Sequence, residues 1–81
     1  MARPLYEIAA DIRAHWKNVY FGAVPYLQAM EQLNSIDDMY GLDDARSIVR
    51  YFLSNASTWK KTKDMDDNIP KRIKEELRAM L

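Results

Sequence analysis

Ala45, Ile48, Val49, Phe52, Leu53, Ala56 and Trp59 recur at helical spacing and hold one apolar face over about four turns. A face that wide must be buried, and a chain of 81 residues has few other elements with which to cover it. The fold is thereby constrained to helices gathered round this segment, with Asp43 as its N-terminal cap. Three further stripes supply them. Leu5, Ile8, Ala9, Ile12 and Trp16 lie on one side of a helix predicted from Pro4 to Asn18. Tyr26, Leu27, Met30 and Leu33 face inward on a second, from Pro25 to Leu33. Ile69, Ile73, Leu77 and Met80 form a narrow stripe on a last helix that starts at Asn68 and Pro70. Between these, Ser35, Ile36, Asp37 and Asp38 read as a capping box, which predicts a short helical turn from Ile36 to Tyr40 closed by Gly41. Lys60 to Asp67 has no apolar period and reads as a solvated loop, and no β-pattern or repeat is present. The expected fold is all-α: a compact bundle of four main helices plus one short helical turn, in a single helical domain spanning 1–81.

Composition narrows the function classes. Twelve Lys plus Arg balance twelve Asp plus Glu, so no net basic charge argues for nucleic acid or an anionic membrane as partner. The absence of cysteine excludes disulfides, zinc ribbons and thiol chemistry. No apolar run is long enough for a signal-peptide core or a membrane span, so a cytoplasmic location is expected and no membrane partner. Two Trp, five Tyr and two Phe supply the packing area that a small domain lacks, and some of them are candidates for exposed anchors.

Chemistry-bearing motifs are weak. Asp64, Asp66, Asn68 and Glu75 match positions one, three, five and twelve of a calcium-binding loop, but the sixth is Ile69 followed by Pro70, where the ligand-wrapping turn needs glycine. No metal and no cofactor are expected. A helix-turn-helix around Gly41 is opposed by Asp37 and Ser47 at its steric positions, and by Asp43 and Asp44 where a recognition helix would meet phosphates. His15 is the only histidine and no nucleophile or carboxylate constellation accompanies it, so the chain is not expected to be an enzyme.

Two surfaces remain. Tyr20, Phe21 and Tyr26 flank the Gly22 to Pro25 turn, and two of the three are expected to be mostly buried. The outer face of the central helix carries Arg46, Ser47, Arg50, Tyr51, Ser54, Ser57 and Thr58 with no carboxylate. Its plainest explanation is that Arg46 and Arg50 pair with Asp43 and neighbouring acids. Its functional explanation is a contact surface in which Tyr20, Phe21, Tyr26, Arg46, Arg50 and Tyr51 meet a protein partner or a second copy, with dimerisation expected. The alternative is a nucleic-acid-binding accessory or regulatory protein using Arg46, Arg50, Lys60, Lys61 and Lys63.

The segments from Tyr20 to Leu27 and from Asp44 to Trp59, with the Lys/Arg/Glu-rich helix behind them, resemble small uncharacterised helical proteins encoded by bacteriophages of actinobacteria. The resemblance covers most of the chain, although the family's loop after the tryptophan is shorter than Lys60 to Asn68. It implies a product made inside an infected bacterium, in agreement with a cytoplasmic location, and transfers no activity and no binding residue.

Overall fold

Pro4 holds extended backbone at φ −56° and ψ 144°, so the first helix, α1 (Leu5–His15), begins directly behind it. No side chain caps that start. The orphan amides of Leu5 and Tyr6 instead donate to the carbonyls of Asn34 and Leu33, each at 2.9 Å, which fastens α1 to the chain leaving the second helix, α2 (Val24–Met30). A strand pair follows, β1 (Met39–Tyr40) and β2 (Asp43–Asp44), then α3 (Ala45–Ser54) and α4 (Ile69–Met80). The computed structural model describes residues 3–81; Met1 and Ala2, the first residues of the expected domain, lie outside them.

The chain is thus mostly helical but not purely all-α. β1 and β2 pair antiparallel with Met39 opposite Asp44 and Tyr40 opposite Asp43. The predicted helical turn from Ile36 to Tyr40 does not form as such. Its capping bonds do form, Ser35 Oγ accepting from the Asp37 amide at 3.1 Å and the Asp38 carboxylate accepting from the Ser35 amide at 2.9 Å. The turn nevertheless stops at Asp38, and Gly41, at φ +61°, opens a two-residue hairpin tip with Leu42 instead of closing a helix. A positive φ at the first tip position alone is the type II′ pattern, whose twist suits paired strands.

Asp44, not Asp43, caps α3: its Oδ1 accepts from the Ser47 amide at 2.8 Å, while Asp43 sits in β2. The central helix is also shorter than its apolar stripe. Ser54 Oγ donates to the Arg50 carbonyl and Asn55 Nδ2 to the Tyr51 carbonyl, side chains thereby satisfying groups at the last turn, and the chain leaves the helix after Ser54. Ala56 and Trp59 remain buried beyond that end. α1 likewise ends at His15 rather than Asn18, and α2 at Met30 rather than Leu33. α4 starts as expected, with Asn68 Oδ1 accepting from the Lys71 amide.

One hydrophobic cluster joins the elements, with Leu5, Ile8, Leu27, Met30, Phe52 and Leu77 among its fully buried members. Trp16 stacks on Trp59 at 5.4 Å between centroids and meets Phe52 edge-on at 6.2 Å. Ion pairs bind the outside: Arg13 grips Glu31 through two hydrogen bonds across α1 and α2, and Arg3 joins Glu76 of α4 to Asp11 of α1. These carboxylates hold both guanidinium groups more firmly protonated than a free arginine. No helix among the described residues is long and apolar enough to cross a membrane.

Candidate functional site

The aromatic turn and the outer face of α3 form one surface. Tyr26, half-buried on α2, packs against exposed Tyr51 of α3 with ring centroids 5.4 Å apart. Tyr20 and Phe21 pair at 4.7 Å and stand 41% and 79% exposed, so Phe21 projects into solvent while Tyr20, like Tyr26, has more than half of its surface covered. Gly22 packs closely against both neighbours: a Cβ there would meet the Tyr20 ring at 2.6 Å and Asn55 Oδ1 at 2.7 Å. The turn therefore lies tight against the end of α3 and against one side of the Tyr20 ring. Asn55 in turn bonds the Tyr51 carbonyl, so the Tyr20–Phe21 pair and the Tyr26–Tyr51 pair lie on either side of Gly22 and Asn55.

The arginines divide. Arg46 is half-buried and occupied, its guanidinium donating to Asp37 Oδ1 at 3.1 Å and to the Met80 and Leu81 carbonyls at 3.1 and 3.3 Å. It reaches Asp37 rather than the expected Asp43 and ties the end of α4 to the segment before the hairpin. Arg50 is exposed beside Tyr51 on α3. The Asp44 carboxyl is held below its ordinary 3.8 first by hydrogen bonding from Ser47 and then by Arg50 and Arg46.

The cations of the nucleic-acid reading are not gathered into one site. Lys60 and Lys61 line a cleft of about 400 Å³ with Lys71, Lys74 and Arg78 of α4, whereas Arg46, Arg50 and Lys63 do not line it. The sequence reading missed the three α4 cations, although their i, i+3, i+7 spacing places them on one helical face. A second cleft of about 620 Å³ runs past the end of α1 and includes His15, Lys17, Asp64 and Met65. His15 Nδ1 donates to the Asp11 carbonyl at 2.9 Å, so a backbone group rather than a carboxylate orients the imidazole. Among the described residues no group of three or more His, Cys, Asp or Glu is placed to hold a metal ion. Asn68, one of the acid-loop residues, is used as the α4 cap.

Met39, Tyr40 and Leu42 add an exposed apolar hairpin where the sequence predicts a helical turn, Leu42 being fully exposed at its tip. Alternation is too short in a two-residue strand to have signalled it. Comparison with protein-family models, with curated proteins and with solved structures finds no match to this chain.

Proposed function

We propose that this chain is a non-enzymatic interaction protein, a small helical bundle that docks a protein partner through Tyr20, Phe21, Tyr26 and Tyr51, with Arg50 at the border. The observation that supports this reading is the nearness of four aromatics, two in the turn and one each on α2 and α3, with Gly22 and Asn55 between the two pairs and three of the four exposed. Exposed aromatics on a firmly packed support lose little entropy on binding, and Tyr and Arg are enriched among residues that carry interface energy. Arg46 belongs to the fold in this reading, since its guanidinium is already occupied. The resemblance to phage products supports a role inside an infected bacterium as part of this proposal.

The test is affinity capture from bacterial lysate at rising salt, with and without nuclease, using the chain itself and Phe21→Ser and Tyr51→Ser variants of confirmed helicity. The reading expects a protein retained at high salt and after nuclease, and lost with either variant. Retention indifferent to both substitutions defeats the chosen surface. Capture that disappears with nuclease and falls steeply with salt favours the nucleic-acid alternative, for which the shared lining of Lys60 and Lys61 is the supporting observation.

A further inference from the structure

The positive charges of this chain are unevenly placed. Lys60, Lys61, Lys71, Lys74 and Arg78 line the 400 Å³ cleft between the segment after Trp59 and α4, and no carboxylate is among the lining residues. The chain as a whole has zero formal net charge, so this concentration is local. Of the neighbouring acids, Asp67 is engaged with Arg72 and Glu76 with Arg3, while Glu75 stands exposed on α4 outside the lining. Five like charges round one concavity oppose folding and focus a positive potential there.

Lys74 is anchored. Its Nζ donates to the Trp59 carbonyl at 2.8 Å and stands 6.0 Å from the centroid of the Trp59 ring. Burial depresses its pKa, and Arg78 and Lys60 depress it further, so neighbouring charge adds to the cost of its protonated form. The backbone offers little competition for an anion. At the start of α4 the amides of Ile69, Lys71 and Arg72 are taken by the Asp67 carbonyl, Asn68 Oδ1 and the Asn68 carbonyl, and Pro70 has no amide hydrogen. Trp59 is only 2% exposed and presents no free face on which a base could stack. What the cleft offers is side-chain charge.

We propose that this cleft binds a multiply charged phosphate-class oxyanion, with Lys74 as its anchored donor and Lys60, Lys61, Lys71 and Arg78 as exposed donors round it. Lysines act here as point charges on long stems, so the site selects charge more than shape, and its affinity falls with salt. It shares no residue with the aromatic patch and stands independently of it.

The test is a backbone-amide NMR titration with pyrophosphate at fixed ionic strength, referenced to chloride. Saturable shifts are expected at Lys60, Lys61, Lys71, Lys74 and Arg78, reversed by added salt and accompanied by a higher Tm. Lys61→Gln and Lys71→Gln, both at exposed side chains, should each weaken pyrophosphate by about two- to fivefold while leaving the ligand-free Tm unchanged or slightly raised, since each removes one of the like charges. Shifts no different from those with chloride, or saturable shifts indifferent to both substitutions, overturn the proposal. Single-stranded oligothymidylate is the second arm. Shifts at the same residues support the site and make a nucleic-acid backbone one source of the phosphate. Pyrophosphate shifts without oligothymidylate shifts support a free phosphate as ligand, and oligothymidylate binding without any pyrophosphate response overturns the site as drawn.

Discussion

Gly22 and Gly41 constrain the chain for opposite reasons. At Gly41 the limit is conformational, since φ is +61° and no heavy atom lies within 4 Å of the position a Cβ would take. Gly41→Ala should therefore cost about 1 kcal/mol through left-handed strain alone, and Gly41→Asn less, because asparagine tolerates that region better. Equal losses for the two in urea unfolding would show that the conformation is not what selects glycine. At Gly22 the limit is space. Gly22→Ala must push the Tyr20 ring or Asn55 away, so it should alter the near-UV tyrosine signal and lower stability by about 1 kcal/mol or more. An unchanged tyrosine signal would contradict the tight seating of the turn. Neither requirement was visible residue by residue. A glycine before a helix and a glycine in a turn look alike in sequence, and the crowding at Gly22 comes from Asn55, which is distant along the chain.

At the scale of elements, periodicity made the helices legible and long-range pairing hid their ends. The stripes of α1, α3 and α4 are local patterns, and the structure buries Leu5, Ile8, Ile12, Ile48, Phe52, Ile73 and Leu77 as that pattern requires. Ala56 and Trp59 kept the helical spacing without being helical, because Trp59 is held by its stack on Trp16 and by Nε1 donating to the His15 carbonyl at 3.4 Å. The hairpin escaped because Gly41 serves a left-handed helix end or a type II′ turn equally well. Phe52→Ala and Trp59→Ala should each cost about 3 to 5 kcal/mol in urea unfolding, since both side chains are buried. A near-neutral Trp59→Ala would mean that the segment after α3 is not part of the core. The cap of α3 carries a pH signature. Asp44 has its folded pKa below the unfolded value, so its contribution is complete above 3.8 and is lost as pH falls through the folded value. Acid unfolding below about pH 4 should therefore be shallower in Asp44→Asn, which keeps a cap oxygen but loses the titration. Equal acid sensitivity in the two proteins would remove Asp44 as a contributor.

The whole molecule measures 38 × 29 × 17 Å along its principal axes, and the shortest extent has room for about two packed helices. Every helix then keeps one face in solvent, and the aromatics on those faces have no third layer to cover them. Tyr20, Phe21 and Tyr51 are the largest consequence on the α2–α3 side, with Met39, Tyr40 and Leu42 at the hairpin. The candidate site was thus half legible: its residue types were, but the juxtaposition of Tyr26 with Tyr51 is a contact between two helices that no local pattern encodes. Zero formal net charge leaves little long-range repulsion between copies. Apolar burial consequently decides association, and an isologous two-fold contact through the Tyr20–Tyr51 patch is the expected outcome. Sedimentation equilibrium at micromolar concentration should show a dimer that Tyr26→Ser and Tyr51→Ser, each confirmed as folded, convert to monomer. A monomer at every concentration defeats self-association and leaves the patch to a different protein. A dimer indifferent to both substitutions moves the contact away from the patch, and Leu42→Ser at the hairpin tip then determines whether Met39, Tyr40 and Leu42 form it instead.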